Sequence, residues 1–125
     1  MNVVDSSGWL EYFGDGKNAG FFAAAIVDAK RLIVPSICVF EVFKRLLQQK
    51  GEDCALEAVT AMQQGTLVPL DSTLATYAAK ISCVFKLPMA DSIVWATAKN
   101  FDAMLWTQDV DFKNIPGVKY IAKLS

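Results

Sequence analysis

Acidic residues follow two short apolar runs of this sequence and could supply oxygen ligands for a metal ion. Asp5 directly follows the run at residues 2–4, and Asp109 and Asp111 follow the run at residues 103–106. If the two runs are neighbouring parallel strands, their carboxyl ends form the crevice where open α/β sheets bind ligands. Position alone also fits plainer roles, since Asp5 could cap a helix and Asp109 and Asp111 could be turn residues.

Two further carboxylates lie on predicted helices. Glu41 occupies an early turn of a helix predicted over residues 37–50, in a mostly apolar stretch. A partly buried carboxylate there needs a cation or hydrogen-bond donors, although a surface ion pair with Arg45 would also account for it. Asp91 stands near the start of a helix that follows Pro88, where an acid commonly caps the helix or faces its dipole. Asp91 is therefore a candidate metal ligand only as one member of this group of acidic residues.

Gathered carboxylates of this kind would repel one another and raise their own pKa values, and a bound cation removes that repulsion. Oxygen ligands suit Mg²⁺ and Mn²⁺, which use few carboxylates and keep several waters. Because these ions neutralise phosphoryl oxygens and activate water, the acidic set predicts chemistry on phosphate esters.

The composition excludes several other kinds of site. The chain contains no histidine, which rules out Ser-His-Asp and Cys-His catalysis and the common histidine-containing zinc sites. The net charge of −1 provides no basic excess for binding nucleic acid, so phosphate binding would need a cation or a local patch. The widely spaced Cys38, Cys54 and Cys83 predict buried free thiols in a reducing compartment.

Length and hydropathy predict one soluble domain over residues 1–125. Apolar residues make up 54% of the chain, which indicates a sheet covered on both faces or an apolar surface reserved for a partner. No signal peptide precedes the first apolar run, and no run approaches the ~18 residues of a membrane helix. We therefore expect a cytoplasmic protein that does not contact a membrane.

Strands alternate with helices along the chain, and most strands are short apolar runs. This pattern predicts a parallel sheet with helices on both faces, an α/β fold of three layers. Strands are predicted at 2–4, 32–34, 67–70, 103–106 and 118–121, and helices at 7–13, 19–30, 37–50, 52–64, 72–85 and 89–100. A sheet of order 3-2-1-4-5 would place strands one and four side by side, with the ligand crevice between them.

Three polar residues are predicted to act only as helix caps. Asn18 and Ser36 precede the second and third helices. Asp71 follows the third strand just as Asp5 follows the first, but a strand that contains Pro69 belongs at an edge of the sheet. Asp71 therefore serves as a control for Asp5, because an edge strand lies away from the crevice.

Four segments carry a resemblance to a known family. Residues 3–13, 36–42, 87–93 and 107–112 resemble, in order and spacing, the acidic motifs of PIN-domain proteins of the VapC toxin type. The resemblance implies a parallel five-stranded sheet of order 3-2-1-4-5 in an α/β/α PIN-like domain. Many members carry Asn at the position that Ser7 occupies here.

The resemblance also implies a function and a set of site residues. It implies hydrolysis of RNA phosphodiesters by the toxin of a type II toxin–antitoxin pair, with a small antitoxin as partner and a homodimer as the common assembly. Thr107 would position a water or a ligand, while Ser7 and Asp111 would support the site. The four acids that it implies as catalytic ligands of Mg²⁺ or Mn²⁺ are Asp5, Glu41, Asp91 and Asp109.

Two other interpretations of the sequence remain open. The chain could be a non-catalytic PIN-like module that binds a protein through its apolar helices. It could also be a magnesium-dependent phosphoryl-transfer or receiver domain that uses Asp5 or Asp109. A receiver domain would carry a second acid beside the first strand and a lysine after a late strand, whereas Asp5 has no acidic neighbour and Lys99 precedes the fourth strand.

Overall fold

A computed structural model describes residues 1–124 as a parallel sheet covered by helices. Short 3₁₀ helices at Ala29–Arg31 and Val110–Phe112 complete the regular structure of the described residues. The strands are β1 (Asn2–Val4), β2 (Leu32–Pro35), β3 (Thr66–Val68), β4 (Met104–Thr107) and β5 (Val118–Tyr120), and the helices are α1 (Ser6–Phe13), α2 (Ala19–Ile26), α3 (Ser36–Lys50), α4 (Glu52–Met62), α5 (Ser72–Phe85) and α6 (Met89–Asn100).

The sheet has the predicted order β3-β2-β1-β4-β5, and every pairing is parallel. Asn2 lies opposite Leu32 on one side and Met104 on the other. The chain winds outward from β1 in two directions, so the carboxyl ends of β1 and β4 lie together where the winding reverses. This confirms the predicted three-layer α/β/α fold and its crevice.

The central strands are short apolar runs because they are buried on both faces. Val3 and Val4 of β1 are fully buried, and Ile33 and Val34 of β2 and Leu105 of β4 are buried beside them. Helix α6 packs against β1, β2 and β4, and all of its residues from Ser92 to Ala98 are buried. Such a helix is held by packing on nearly all sides, which fixes the position of the residues in its first turn.

Several local predictions were wrong. Asn18 caps no helix with its side chain, because its amide donates to Gln108 and to the carbonyl of Ala122 instead. Ser36 is the first residue of α3, and Pro35, which lacks a side-chain hydrogen-bonding group, stands at the cap position. Helix α2 ends at Ile26, four residues earlier than predicted. Pro69 lies just beyond β3, although β3 is an edge strand as expected.

The cysteines differ from one another in exposure. Cys38 is buried on α3, whereas Cys54 is partly exposed and Cys83 is exposed. The prediction of buried thiols was therefore right for Cys38 and wrong for the other two. All three thiols are free in the described structure.

Within the described residues, no single helix is both long and apolar enough to cross a membrane. Helices α5 and α6 are long and apolar enough only when they are counted as one segment, and the chain bends by 113° between them.

Candidate metal centre at the carboxyl edge of the sheet

Asp5 directly follows β1 at the predicted crevice, and three donors hold its side chain. Its side chain is buried, with 3% exposure. Oδ1 accepts from the backbone N–H of Gly8 at 3.0 Å and from the Ser7 hydroxyl at 2.7 Å, and Oδ2 accepts from the Thr107 hydroxyl at 2.5 Å. Asp5 is thus a helix cap, and it also lies at the switch point between β1 and β4. The two interpretations of this residue are compatible.

Gly8 allows the close packing around the Asp5 cap. A Cβ atom on Gly8 would lie 2.6 Å from the ring of Phe22 and 2.7 Å from a methyl group of Val4. These distances are shorter than real Cβ contacts, so helix α1 can begin this close to the sheet only with glycine at that position. The sequence Asp-Ser-Ser-Gly therefore combines a cap with a close helix–strand contact.

Three carboxylates from two elements meet beside Asp5. Asp91 lies in the first turn of α6, and Asp109 and Asp111 follow β4 around the second 3₁₀ helix. One oxygen of each lies within 4.8 Å of the others. Asp109 is fixed by the backbone, since its Oδ1 accepts from the N–H of Asp111 and its own N–H donates to the Thr107 hydroxyl, both at 2.9 Å. Asp111 thus belongs to the cluster and is also part of a turn.

The electrostatics of the cluster follow from burial and mutual repulsion. Burial raises the pKa of Asp5 to about 6, against the lowering effect of its hydrogen bonds from Thr107, Ser7 and Gly8. The pKa of Asp91 rises to about 8, chiefly through burial, then through the charge of Asp109 and a hydrogen bond with Asp111. These carboxylates resist full ionisation in the absence of a cation, as expected for an acidic site built to hold one.

Glu41 lies on the α3 side of the site, outside the close cluster. Its Oε1 accepts from the Ser6 hydroxyl at 2.6 Å. Burial raises the pKa of the Cys38 thiol, and the charges of Asp5, Glu41 and Asp91 raise it further, so the charges of all three acids act on one buried thiol. The ion pair between Glu41 and Arg45 does not form in the described residues.

The structure thus brings together most of the predicted site residues. Asp91 and Asp109 meet directly, Asp5 adjoins them, and Ser7 and Thr107 hold Asp5 in place. Ser7 keeps a hydrogen bond to Asp5 although it departs from the common Asn of the resembling family. The role of Asp5, Glu41, Asp91 and Asp109 as metal ligands stays a prediction.

A buried polar network that the sequence analysis missed supports this edge of the sheet. Gln108, which is 6% exposed, donates to Glu11 Oε1 at 3.2 Å and accepts from the amide of Asn18 at 3.0 Å. Glu11 Oε2 also accepts from the backbone N–H of Asn18 at 2.8 Å. The network ties α1 to the segment that carries Thr107 and Asp109. In the sequence, the one sign of this network is the position of Gln108 between Thr107 and Asp109, and this sign is weak.

The family model of the PIN domain matches residues 3–118. The chain belongs to the PIN domain family. No curated protein sequence matched the chain. Solved structures that share the fold and cover nearly the whole chain include the following three.

A toxin–antitoxin complex from Klebsiella pneumoniae is 21% identical, with a TM-score of 0.79 over 94% of this chain and 95% of that one. VapC20 from Mycobacterium tuberculosis, described as a Sarcin-Ricin loop cleaving toxin, is 13% identical, with a TM-score of 0.80 over 95% and 98%. VapBC2 from Rickettsia felis, bound to a DNA fragment from its promoter, is 11% identical, with a TM-score of 0.74 over 97% of each chain.

The donor set of this PIN domain fits a hard divalent cation. The three clustered side chains offer only carboxylate oxygens, and the ligand atoms lie close enough to share an ion. Oxygen-only sites with few carboxylates favour Mg²⁺ and Mn²⁺ over the softer metals, which prefer nitrogen or sulfur. The Cys38 thiol nearby is a poor competitor because its raised pKa keeps it protonated.

Proposed function

We propose that the protein is a divalent-metal-dependent endoribonuclease that hydrolyses RNA phosphodiester bonds as the toxin of a type II toxin–antitoxin pair. The observation that carries the proposal is the meeting of Asp91, Asp109 and Asp111 beside the buried Asp5. Membership of the PIN domain family supports a nuclease. Structural neighbours that include a toxin–antitoxin complex and an RNA-cleaving toxin support the biological setting.

Asp91, Asp109 and Asp111 are the proposed ligands for Mg²⁺ or Mn²⁺, with Asp5 and Glu41 completing the acidic set. When bound, the ion supplies positive charge that neutralises phosphoryl oxygens and activates water. It also provides the attraction for RNA that the net charge of −1 lacks.

The other residues of the site hold the carboxylates in position. Ser7 and the N–H of Gly8 fix Oδ1 of Asp5, and Thr107 fixes Oδ2, so this carboxylate cannot rotate freely. Thr107 also accepts from the N–H of Asp109 and therefore links the two acids through one hydroxyl. Fixed charges of this kind lower the reorganisation needed when charge develops on the substrate.

The partners of the proposed toxin are an RNA substrate, a small antitoxin protein and a second copy of the chain in a homodimer, all in the cytoplasm. Large apolar side chains that remain exposed support association with proteins. They occur on several elements and include Leu47, Leu56, Val84, Phe85 and Met89.

Metal dependence tests the proposal directly. Purified protein should cleave RNA with Mn²⁺ and lose that activity in EDTA. Calorimetry should detect Mn²⁺ binding. Asp91→Asn should weaken it by at least about 10- to 100-fold, the usual cost of losing a group that only supports a ligand, because Asp91 is itself a proposed ligand. Cleavage that persists equally in EDTA and in Asp91→Asn would indicate a contaminating nuclease. A folded protein that binds no Mn²⁺ would favour the protein-binding module instead.

A further inference from the structure

A groove of about 360 Å³ lies between α1 and α3, on the Glu41 side of the proposed active site. Ser6 and Leu10 line it from α1, and Phe40, Glu41, Lys44 and Arg45 line it from α3. Glu41 belongs both to this groove and to the acidic set, so a ligand in the groove would lie on the α3 side of the site, outside the close cluster of Asp91, Asp109 and Asp111.

The groove carries two adjacent cations that the fold does not neutralise. In residues 1–124, neither Lys44 nor Arg45 makes an ion pair within 4.0 Å. Glu41 lies four residues before Arg45 on the same helix, yet its carboxylate accepts from Ser6. Cations left unpaired beside an acidic site, in a chain of net charge −1, form a local attraction for an anionic ligand.

Phe40 adds an aromatic surface to the same wall. Its side chain is 59% exposed, and the Lys44 Nζ lies 5.7 Å from the ring centroid. Apart from Leu10, the other side chains that line the groove are polar or charged. An apolar helix would leave those groups without partners, whereas a nucleic acid strand offers phosphates for the cations and a base for the ring.

We propose that this groove binds single-stranded RNA next to the scissile phosphate, with a base stacked on Phe40 and phosphates on Lys44 and Arg45. The proposal rests on the proposed nuclease function, because it concerns the path by which RNA reaches the acidic cluster. An unpaired strand is required, since the face of a base is available for stacking only when the base is not stacked in a duplex.

Fluorescence anisotropy in EDTA measures RNA binding without cleavage. The probe is a labelled, mixed-sequence single strand of about 12 nucleotides, a length within the span of known stacking grooves. Phe40→Ala should weaken binding about tenfold, Phe40→Leu should weaken it almost as much, and Phe40→Trp should retain it.

Replacing both Lys44 and Arg45 by Gln should reduce the slope of log K against log salt by about 1.4, as expected for two lost phosphate contacts.

The chain provides a matched control at the other end of the sheet. Lys30 and Arg31 form the same dipeptide, are exposed, and immediately precede β2 at its amino end. Replacing both by Gln changes the net charge equally and should leave the affinity and the salt slope near those of the unaltered protein. An equal loss of affinity in this control would overturn the groove assignment, because the effect would then be one of total charge.

Cleavage assays separate this proposal from the nuclease proposal. With Mn²⁺, the Lys44 and Arg45 double variant should raise KM while kcat stays within about twofold, as expected when binding is lost uniformly. Suppose that the unaltered protein cleaves RNA, and that Phe40→Ala and the Lys44 and Arg45 double variant bind RNA as tightly as it does. This result would overturn the groove proposal and leave the nuclease proposal intact. Groove variants that lose RNA affinity in a protein that never cleaves would support the groove and overturn the nuclease.

Discussion

Asp5 and Asp71 have the same local structure and very different surroundings. Each follows a strand and caps the next helix, with its carboxylate accepting from the N–H three residues on: Gly8 at 3.0 Å and Leu74 at 2.8 Å. Asp5 is buried at the end of a central strand, whereas Asp71 is exposed beyond an edge strand. A strand, an acid and a helix follow one another in the same order around both residues. The place of each strand in the sheet therefore separates a cap from a candidate ligand.

The central position surrounds Asp5 with groups from distant parts of the chain. Thr107 reaches it from the neighbouring strand β4, and the charges of Asp109 and Asp91 act on the same region. An edge strand has a neighbour on one side only, so the cap at Asp71 receives no such set. Local chemistry therefore determines the cap, and topology determines whether the capping carboxylate belongs to a site.

The largest expected difference between the two caps is in RNA cleavage. Asparagine caps helices as well as aspartate does, so Asp5→Asn and Asp71→Asn both keep the cap and remove one charge. Asp5→Asn should lower kcat/KM by about 100- to 1,000-fold, the usual loss when one fixed electrostatic group is removed. Asp71→Asn should change kcat/KM by less than about twofold, as for other surface substitutions.

Both variants are compared with the unaltered protein in Mn²⁺ after circular dichroism has verified folding. Equal cleavage by Asp5→Asn and the unaltered protein would remove Asp5 from the proposed site. The cluster of Asp91, Asp109 and Asp111 would then have to act without it.

Much of this comparison could be predicted from the sequence. Short apolar runs and helix periodicity predicted a parallel sheet covered by helices and, for α6, both helix ends, because burial on both faces leaves a clear pattern. The family resemblance implied the order of the strands. Asp5 and Asp109 were assigned to one edge because they stand at strand ends, and Asp91 was added as a member of the acidic set that the family resemblance implies. The cap at Asp71 is confirmed by its bond to the N–H of Leu74.

The features of the fold and the site that could not be predicted depend on which distant residue a polar side chain contacts in the folded protein. Asn18 has the residue type and position of a helix cap, but its side-chain amide donates to Gln108, ninety residues away in the sequence. Asp111 lies in the close carboxylate cluster and Glu41 does not, although the motif pattern favoured Glu41. A one-turn 3₁₀ helix turns Asp111 toward Asp91, and a segment so short leaves no periodicity in a sequence.

A second expected difference is in the pH dependence of stability without metal. The folded-state pKa of Asp5 is raised from 3.8 to about 6 and that of Asp91 to about 8. Groups with raised pKa values contribute stability that is complete below the unfolded-state value and is lost as pH rises through the folded-state value. The free energy of unfolding should therefore fall from about pH 4 to pH 8, and Asp5 accounts for up to about 3 kcal/mol of that fall.

Urea unfolding across this pH range measures the effect. Asp5→Asn should flatten the curve between about pH 4 and 6, and at pH 8 it should make the metal-free protein more stable while leaving it inactive. Asp71→Asn should follow the unaltered protein, since it removes an exposed carboxylate. Saturating Mn²⁺ should offset the loss at high pH by binding the folded state. A curve that rises with pH in EDTA would contradict the repulsion among these acids.

The smallest expected effect isolates the cap itself. Asp71→Ala removes the acceptor for the Leu74 N–H without touching the site, so it should lower the free energy of unfolding by about 1 kcal/mol. Asp71→Asn keeps an acceptor oxygen and should stay within a few tenths of a kcal/mol of the unaltered protein. Cleavage should survive in both variants, measured at a temperature where both remain folded. Loss of cleavage in folded Asp71→Ala would mean that the edge of the sheet takes part in catalysis, and the contrast between edge and centre that distinguishes Asp5 from Asp71 would no longer hold.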